Sequence, residues 1–484
     1  MGINRYCEIN SRPFIGDILD IKFGTDGWRD IMDQGFNIDS VRECVQGLSN
    51  YLINTNQNNK PIIVGYDTRK DSDYYAQEIA KVLTANSISC LLSDKFSPTP
   101  SLSFSVVDNN AGGALIVTSS HNPHEWNGIK YKSEYGGSAY LDVIKQVELE
   151  ITKVDSNIFT KPKNNLLQIF DPKPNYISNL KKFIDLELIN SSKLNILVDY
   201  MYGAGIGFLD DFFDNNNISL TELHKKPNPS FPGMDQPEPI PKNLSEMQLE
   251  LKNNNYDVGI AYDGDADRLG VFDGEGNYIN TLEAFALIIL HLFENKEILG
   301  GIVTSLTMGG IFTKIAKYYN VPIIETAVGF PHLCKAILSQ NAIVAGEESG
   351  GYAFKFHVPE RDGILSSLLI LELLATSKKS LQQLKNEMYA KFGRTYFERS
   401  DLQYRTEQSS FIVNKLENIT IENIGDKIIR STSNMDGVKF YLNDNSWATI
   451  RISGTEPLVR IYAESNSKEE VTNIINELKD YIFC

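Results

Sequence analysis

The sequence predicts an α/β protein of several units that ends in a smaller α+β unit. Three observations lead to this prediction. Short apolar runs typical of strands alternate with segments of helical periodicity through most of the chain, which favours mainly parallel sheets. The length of 484 residues exceeds what one hydrophobic core usually supports. Beyond about residue 381 the sequence pattern changes. Runs in which apolar and polar residues alternate, such as 447–452, favour an antiparallel sheet with helices on one face.

The first unit is predicted to contain strands at 61–66, 88–92 and 114–117. A helix at 74–83 follows the first strand, and Asp71 and Ser72 are candidates to cap its start. The segment Ser97-Pro98-Thr99-Pro100 is predicted to be a stiff loop, because each proline ring fixes its φ angle. Residues 153–165 mix Lys, Pro, Asn and Ser without periodicity, which places the first domain boundary near residue 155.

The second and third units are predicted to repeat this alternation. Strand 195–199 runs into 202–207, whose glycines resemble a dinucleotide-binding fingerprint, but Phe208 stands where the third glycine belongs. We therefore predict a tight strand-to-helix turn there. Further strands are predicted at 256–262, 301–305, 321–325 and 342–345. The similarity of the units suggests an internal structural repeat. At the end of the chain, Ser467 and Glu470 predict a capping box for the final helix.

The composition predicts a cytosolic protein that binds neither nucleic acid nor membranes. Acidic residues outnumber basic ones by 62 to 46 and give a net charge of −16, so an anionic substrate needs a local basic pocket. The five cysteines are scattered without a CxxC pair, which favours reduced thiols over disulfides or zinc. The first residues show no apolar signal core, and the longest apolar runs, such as 365–375, are too short to span a bilayer.

The segment Thr118-Ser119-Ser120-His121-Asn122-Pro123 is the first candidate site. It follows the strand 114–117, and ligands of α/β folds bind at the carboxyl ends of strands. We predict that Ser120 carries a phosphoryl group as a covalent intermediate. His121 adjoins this hydroxyl, and Lys130 is a candidate to return over the same site and neutralise phosphate charge. In the segment 23–29, two glycines flank Thr-Asp and suggest a turn that presents Arg29, although an ordinary surface turn stays an alternative.

The segment Asp263-Gly264-Asp265-Ala266-Asp267-Arg268 is the second candidate site. Alternate aspartates after a strand direct three carboxylates to one place, and hard oxygen ligands in this number suit Mg²⁺. An EF-hand loop is excluded, because Arg268 replaces its glycine at position 6 and Gly274 its glutamate at position 12. A merely acidic surface turn is disfavoured, because three carboxylates in a compact loop repel one another unless a cation joins them.

Two further segments suit a phosphorylated sugar. Residues 346–351, Gly-Glu-Glu-Ser-Gly-Gly, follow a strand and carry carboxylates and a hydroxyl that can hydrogen-bond a polyol, with a flexible turn as the alternative. Residues 451–457, Arg-Ile-Ser-Gly-Thr-Glu-Pro, combine hydroxyls, close backbone N–H groups and a guanidinium, which suits a phosphate monoester. A hairpin turn with an incidental arginine is the alternative. The four segments together predict phosphoryl transfer to a sugar, which needs mainly positioning and charge neutralisation.

These segments resemble the α-D-phosphohexomutases, the superfamily of phosphoglucomutases and phosphomannomutases. The motifs at 23–27, 118–123, 263–268, 346–351 and 451–455 occur in the order in which that family has them, and the resemblance covers nearly the whole chain. The ending Ser349-Gly350-Gly351, with Pro-Glu-Arg-Asp-Gly at 359–363, looks most like the prokaryotic-type phosphoglucomutases. Asp30 and Pro331 depart from the family's usual glycine and basic residue. The second departure leaves open which residue of the 329–332 loop, His332 being the candidate, meets the substrate.

The resemblance implies four domains around a central cleft, three related mixed-sheet α/β domains and a C-terminal α+β domain. These are expected at 1–155 with the phosphoserine, 156–277 with the metal, 278–380 with the sugar site and 381–484 with the phosphate site. The residues implied in each role follow: Ser120, His121, Lys130 and Arg29 in catalysis; Asp263, Asp265 and Asp267 with the Ser120 phosphate as Mg²⁺ ligands; Glu347, Ser349, Arg268, His332, Arg451, Ser453, Gly454 and Thr455 in substrate binding.

The resemblance also implies a reaction. Phospho-Ser120 would give its phosphoryl group to a hexose 1- or 6-phosphate, the bisphosphate would turn over in the cleft, and its other phosphoryl group would return to Ser120. Free glucose 1,6-bisphosphate would prime a dephosphorylated enzyme, and the protein would be a monomer or homodimer. Interconversion of glucose 1-phosphate and glucose 6-phosphate is the favoured activity. A phosphomannomutase or dual-specificity enzyme, a catalytically silent sugar-phosphate-binding homologue and a sugar-phosphate phosphatase stay open as alternatives.

Overall fold

The computed structural model describes residues 21–155, 161–213, 217–452 and 458–483. Its strands form four sheets that succeed one another along the chain, three of them mixed and the last antiparallel. The predicted fold class, three related α/β domains followed by an α+β domain, is confirmed. In the part of the chain that the structure describes, no helix is long and apolar enough to cross a membrane.

The first sheet has the strand order β1-β5-β4-β2-β3-β6. Strand β2 is parallel to β3 and β4, whereas β5 runs antiparallel to both β4 and β1. Its elements are β1 (Trp28–Ile31), α1 (Ile38–Asn54), β2 (Ile62–Tyr66), α2 (Ser72–Ala85), β3 (Cys90–Ser93), α3 (Thr99–Asp108), β4 (Gly113–Val117), β5 (Trp126–Ser133), α4 (Leu141–Ile151) and β6 (Leu167–Phe170).

The second sheet has the order β11-β10-β9-β7-β8, and the third the order β13-β12-β14-β15. The second unit comprises α5 (Lys173–Leu180), α6 (Leu186–Ser191), β7 (Asn195–Asp199), β8 (Ser219–Leu223), α7 (Ser245–Asn253), β9 (Val258–Tyr262), β10 (Leu269–Asp273) and β11 (Tyr278–Ile279). The third comprises α8 (Thr281–Glu294), β12 (Gly301–Ser305), α9 (Ile311–Tyr319), β13 (Ile323–Thr326), α10 (Phe330–Ser339), β14 (Ala342–Gly346), β15 (Tyr352–Phe354), α11 (Gly363–Ser377) and α12 (Leu381–Phe392).

One strand pattern recurs in the first three sheets. In each, a strand continues through a loop into an antiparallel neighbour: β4 into β5, β9 into β10 and β14 into β15. The remaining two strands of the pattern lie parallel on the other side, as β2 and β3, β7 and β8, and β12 and β13. This common topology confirms the predicted structural repeat. The loops between the antiparallel partners carry the three segments 118–123, 263–268 and 347–351.

The fourth sheet is antiparallel throughout, with the order β16-β21-β20-β19-β18-β17. Its core joins apolar side chains of the strands with those of both helices. At the start of the last helix, Ser467 Oγ accepts from Glu470 N at 3.2 Å, which is one half of the predicted capping box, whereas the Glu470 carboxylate accepts from Ser465 and Lys427. The elements are β16 (Tyr396–Gln403), α13 (Ser409–Glu417), β17 (Asn423–Ile424), β18 (Lys427–Ser433), β19 (Val438–Leu442), β20 (Trp447–Ile452), β21 (Leu458–Ser465) and α14 (Lys468–Phe483).

Three local predictions differ from the structure. The predicted loop at 97–100 is half helix, because α3 begins at Thr99, and a proline in the first helical turn lacks only an N–H that has no partner there. The first sheet extends past the predicted boundary near 155, since β6 pairs with β3. The predicted strand-to-helix turn after β7 leads instead into consecutive turns. Gly203 is required there, because a Cβ would lie 2.7 Å from Gly264 O.

Helix α11 is buried along almost its whole length and carries one acidic side chain, Glu372, that is 2% exposed. The carboxylate accepts from His291 Nε2 at 2.8 Å, from Lys296 Nζ at 2.7 Å and from Asp185 N at 2.7 Å. Burial by itself raises the pKa of Glu372, but these donors outweigh it and lower the pKa below its usual range. The side chain thus joins helices of the second and third units through buried polar contacts.

We expect Glu372→Ala to destabilise the protein by about 3–5 kcal/mol, because it leaves Lys296 and His291 without their buried partner. Since the folded pKa is lowered, this stabilisation is present above the unfolded-state pKa and is lost as pH falls through the folded value. Denaturant unfolding followed by circular dichroism at neutral and acidic pH measures both effects. The exposed Glu417→Ala is the control, and equal stability of the two variants at neutral pH would contradict the assignment.

Candidate active site

Ser120 lies in the loop between β4 and β5 and contacts the loop of the second unit. Its backbone has a φ of 48°, in the left-handed region, and its side chain is fully buried. Ser120 Oγ donates to Asp263 Oδ2 at 2.8 Å. The close approach depends on Gly264, because a Cβ at that position would lie 2.4 Å from Ser120 O. The structure therefore brings the predicted nucleophile and the predicted metal loop together.

Two residues that sequence reasoning did not assign, Asp67 and Arg69, hold the Ser120 loop. Arg69 donates to four carbonyl oxygens of the loop and its flank, including Ser120 O at 2.7 Å and Asn122 O at 2.6 Å. Asp67 Oδ2 accepts from Thr118 Oγ1 at 2.6 Å, and that hydroxyl accepts from Ser120 N at 2.9 Å. The available signal was the charged run directly after β2, the parallel neighbour of β4.

Asp263, Asp265 and Asp267 form a cluster of fully buried carboxylates. One oxygen from each lies within 4.8 Å of the others. The Oδ1 atoms of Asp265 and Asp267 are buried and have no hydrogen-bond partner among the described residues. Burial, followed by the charges of Asp267 and Asp265, raises the pKa of Asp263 well above its usual value. Mg²⁺ fits this site, because carboxylate oxygens without a partner are available as ligands and the carboxylates repel one another. A bound Mg²⁺ would act as a Lewis acid toward phosphoryl oxygens.

Lys130 provides the cation that the aspartates face. It lies on β5 opposite Ile116 of β4, and its Nζ is 2.7 Å from the Oδ2 atoms of Asp26, Asp265 and Asp267. Burial by itself lowers the pKa of Lys130, but these carboxylates outweigh it and raise the pKa above its usual value. Lys130 therefore stays protonated and contributes charge. Because it occupies Oδ2 of Asp265 and Asp267, the Oδ1 atoms are left for another ligand.

Arg361, to which the sequence alone assigned no role, connects the loop 263–268 to the loop 346–351. Its guanidinium contacts Asp26, lies 2.7 Å from Asp267 Oδ2 and 3.9 Å from Glu347 Oε2, and covers the Phe330 ring. Asp26 in turn lies 3.0 Å from Lys132, which pairs with Glu360 at 2.8 Å. Asp26 stands in the predicted turn 23–29 and Arg361 in the segment 359–363, but neither was assigned a role from the sequence. Their contact across the chain carries no local signal.

The carboxylate of Glu347 and the hydroxyl of Ser349 are placed for a polar ligand. Glu347 is buried and accepts from Gly329 N at 2.9 Å, whereas Ser349 Oγ has no described partner. Burial raises the pKa of Glu347 to about 7 against the opposing charge of Arg361. The neighbouring Glu348 turns away to accept from Thr307 at 3.0 Å and from Tyr462 at 3.3 Å. The predicted pair Glu347 and Ser349 is thus the half of the loop whose polar atoms are available.

Arg29 and His121 border the Ser120 hydroxyl. Arg29 donates to Asn122 Oδ1 at 2.7 Å, so it holds the same loop as Arg69. His121 Nδ1 lies 3.4 Å from Ser120 Oγ. Burial, and then the charges of Arg268 and Arg29, lower the pKa of His121 well below its usual value. A neutral imidazole next to the hydroxyl can accept a proton from it.

The remaining candidates lie at the edge of this centre. Arg268 is nearly buried, with Nε 3.8 Å from Asp263 Oδ2. His332 is half-buried at the start of α10, next to the Gly329 N–H that binds Glu347. Arg451 Nε donates to Asp436 Oδ2 at 2.8 Å, and the same oxygen accepts from Val328 N at 3.1 Å, which ties the fourth unit to the third. Ser453, Gly454 and Thr455 lie outside the described residues.

Comparison with known proteins identifies the family. The sequence matches the three alpha/beta/alpha domains of phosphoglucomutase/phosphomannomutase at 20–158 (domain I), 174–276 (domain II) and 282–392 (domain III), and the C-terminal domain at 417–480. The chain belongs to this family. It is thus related to the phosphohexomutases, which are metal-dependent enzymes of the phosphotransferase and isomerase type. The predicted resemblance is confirmed.

Similar proteins differ in the sugar that their names give. A "Phosphoglucomutase/phosphomannomutase" of Thermococcus kodakarensis is 29% identical over 93% of this chain and 95% of its own. A "Phosphoglucomutase" of Staphylococcus aureus is 27% identical over 91% and 89%, and a "Probable phosphoglucosamine mutase" of Methanosphaera stadtmanae is 27% identical over 93% and 96%. The crystal structure of a "putative phosphomannomutase" from Thermus thermophilus has a TM-score of 0.83 at 28% identity, covering 96% of this chain and 99% of that one.

We expect Asp265→Asn to weaken Mn²⁺ or Mg²⁺ binding by at least about tenfold, because it removes one of three converging charges. Electron paramagnetic resonance of Mn²⁺ or calorimetry measures the binding without turnover. Glu275→Gln, an exposed change in the same unit, should bind the metal like the wild type. Equal affinities of the two variants would remove Asp265 from the metal site.

We expect the KM for the hexose phosphate to rise about tenfold from about pH 8 to about pH 6, because Glu347 gains a proton as pH falls through its pKa of about 7. A protonated carboxyl accepts weaker hydrogen bonds from sugar hydroxyls. In the variant Glu347→Gln, KM should no longer change with the titration of residue 347. Only the pH dependence of KM that comes from the substrate's own phosphate should remain. Identical pH dependence of KM in both proteins would contradict the assignment.

Proposed function

We propose that the protein interconverts glucose 1-phosphate and glucose 6-phosphate through phospho-Ser120 and glucose 1,6-bisphosphate. The observation that carries this proposal is the hydrogen bond of 2.8 Å between Ser120 Oγ and Asp263 Oδ2. It places the hydroxyl of the Ser120 loop directly against the aspartate cluster that is suited to a cation, whereas the other described hydroxyl bonded to the cluster, that of Thr99, contacts Asp265 from the start of α3. Lys130 and Arg361 add the positive charge that a transferred phosphoryl group needs.

In the forward step, the P–O bond to Ser120 Oγ breaks and a new P–O bond forms to the free hydroxyl of the sugar phosphate. The proton of that hydroxyl passes to a base, which returns it to Ser120 Oγ after the P–O bond has broken. His121 suits this role because it is neutral and lies beside Ser120 Oγ, whereas Lys130 is held protonated by three carboxylates. Asp263, Asp265 and Asp267, with the Ser120 phosphate, would hold Mg²⁺. Around Ser120, Lys130 thus supplies positive charge and His121 accepts the proton.

The return step transfers the other phosphoryl group of the bisphosphate to Ser120, so the sugar must turn over between two phosphate sites. Glu347 and Ser349 suit the sugar hydroxyls in either orientation, with Arg268 and His332 beside them. Arg451 suits the phosphate that is not transferred, together with Ser453, Gly454 and Thr455. Asp436 supports this role by aligning Arg451 with the loop at Val328.

The ending Ser349-Gly350-Gly351 favours glucose because it resembles the same loop of the prokaryotic-type phosphoglucomutases, and two close contacts account for its glycines. Gly350 has a φ of 87°, and a Cβ there would lie 2.8 Å from Leu269 O. A Cβ at Gly351 would meet the Arg361 side chain at 2.2 Å. No larger side chain fits either position without displacing Arg361 or the second unit, so the loop presents the short Ser349 to the sugar. Amino sugars form the second candidate class, since several relatives are named phosphoglucosamine mutases.

The division into four domains, predicted at 1–155, 156–277, 278–380 and 381–484, belongs to the same proposal, with β6 added to the sheet of the first domain and α12 to the core of the third. Cytosolic location, priming by glucose 1,6-bisphosphate and the choice between monomer and homodimer stay predictions. A silent binding protein is disfavoured, because the serine, aspartate cluster and cations are all present and in contact. Steady release of inorganic phosphate faster than isomerisation would favour the phosphatase alternative.

We expect Ser120→Ala to reduce mutase activity by at least about a thousandfold and to abolish ³²P incorporation from labelled glucose 1,6-bisphosphate, because the acceptor oxygen is lost. Ser119→Ala is the matched control, since Ser119 Oγ donates to Asn122 and not to the aspartates. Normal turnover of Ser120→Ala would refute the nucleophile. A wild-type protein that takes up no label would refute the phosphoenzyme.

We expect kcat/KM for glucose 1-phosphate to exceed that for mannose 1-phosphate, glucosamine 1-phosphate and N-acetylglucosamine 1-phosphate by about tenfold or more, a difference of about 1.4 kcal/mol. Parallel coupled assays with Mg²⁺ and the matching bisphosphate measure the ratios. Comparable values for glucose and mannose would establish a dual-specificity enzyme, and a preference for glucosamine would overturn the glucose assignment.

A further inference from the structure

A cavity of about 710 Å³ lies between the third and fourth units, apart from the candidate active site. The third unit supplies residues of β12, α9 and β13, and the fourth supplies residues of β18 to β21. None of the segments 118–123, 263–268 and 347–351 lines it. The volume is in the range of sites that enclose a small organic molecule.

One part of the cavity wall carries positive charge. Lys314 and Lys317 stand three residues apart on α9 and therefore on one helical face. Neither lysine makes a salt bridge to a described residue, and Arg430 donates to Asn445 Oδ1 at 3.5 Å without one. On a protein with a net charge of −16, such a group of cations favours an anionic ligand.

The carboxylates on the same wall already have partners. Glu325 accepts from Lys439 Nζ at 2.5 Å and from Tyr441 OH at 2.8 Å. Glu464 accepts from Gly310 N at 3.0 Å, and Asp444 pairs with Lys427 at 2.5 Å. Burial raises the pKa of Glu464, and the charge of Lys314 acts on this carboxylate in the opposite direction. Lys317 and Arg430 make no salt bridge to a described residue and are available to a molecule that enters the cavity.

Another part of the wall is apolar and contains an unused donor. Met308, Ile323 and Leu442 contribute aliphatic surface. Trp447 is 4% exposed, and its Nε1 has no hydrogen-bond partner among the described residues, although a buried indole N–H usually finds one. A buried donor without a protein partner among the described residues, in a residue that lines the cavity, is available to a hydrogen-bond acceptor of a ligand.

We propose that this cavity binds a small organic phosphate with an apolar ring body, the chemistry of a nucleoside phosphate. The phosphate lies toward Lys314, Lys317 and Arg430, and the body lies toward Ile323 and Trp447. Since both units line the cavity, a bound ligand favours the arrangement in which Lys439 and Glu464 of the fourth unit contact the third. Binding here does not depend on the proposed mutase activity.

Calorimetry with ADP and AMP, with Mg²⁺ omitted, tests the proposal on the full chain. We expect one site per chain, with adenosine and inorganic phosphate binding at least about tenfold more weakly, because each lacks half of the recognised chemistry. Saturating glucose 6-phosphate should change the ADP affinity by less than about twofold. Displacement of ADP by glucose 6-phosphate would assign the binding to the active site and overturn the proposal, as would the absence of any binding.

Charge reversal identifies the site. Lys314→Glu with Lys317→Glu should weaken ADP binding by at least about tenfold, whereas Lys145→Glu, an exposed helical lysine of the first unit, should leave it unchanged. Trp447→Phe keeps the ring and removes the donor, and should weaken binding about threefold or more. Unchanged affinity in the double variant would overturn the proposal. Mutase assays of the same variants show separately whether the active site is intact.

Discussion

The burial of three carboxylates at one point is the constraint on which the rest of this structure depends. Asp263, Asp265 and Asp267 are fully buried, and a buried charge costs several kcal/mol unless it is paired. The second unit, which carries them, does not supply enough partners. Lys130 comes from the first unit and Arg361 from the third, and Asp26 lies between these two cations. The aspartates are therefore partly neutralised only when three units are assembled, and the assembled site is also where a phosphorylated ligand would find both its cation and its donors.

The repeated topology explains why these groups can meet. In each of the first three units, the segment with the chemistry connects a strand to its antiparallel neighbour, so one architecture presents three different loops. The returning strand has a second use in the first unit, where the alternation of side chains along β5 directs Lys130 and Lys132 to the same side. Lys130 reaches the aspartates, and Lys132 reaches Glu360 beside Arg361. The fourth unit adds its contacts through Arg451, Asp436 and the loop at Val328.

Local patterns were enough to predict most strands, the repeat and the residues Ser120, Asp263, Asp265 and Asp267, because each group follows an apolar run at the end of a strand. The contacts that organise the site were not predictable in this way. Arg69 and Ser120 are 51 residues apart, and Asp26 and Arg361 are 335 apart, so periodicity and spacing carry no information about these pairs. The loop predicted at 97–100 failed for a different reason: proline disfavours a helix interior but suits its first turn, and sequence alone did not decide which position Pro100 takes.

The charged groups around Ser120 shift the pKa values of Lys130 and His121 in opposite directions, and this difference supports the proposed division of roles. The carboxylates of Asp26, Asp265 and Asp267 raise the pKa of Lys130, so it stays protonated despite its burial. Near His121, burial and the charges of Arg268 and Arg29 act in the same direction and keep the imidazole neutral. A phosphoryl group on Ser120 would add about two negative charges at this point. That charge would be neutralised by cations already held in place, and the one nearby group without charge would be free to take a proton from the incoming hydroxyl.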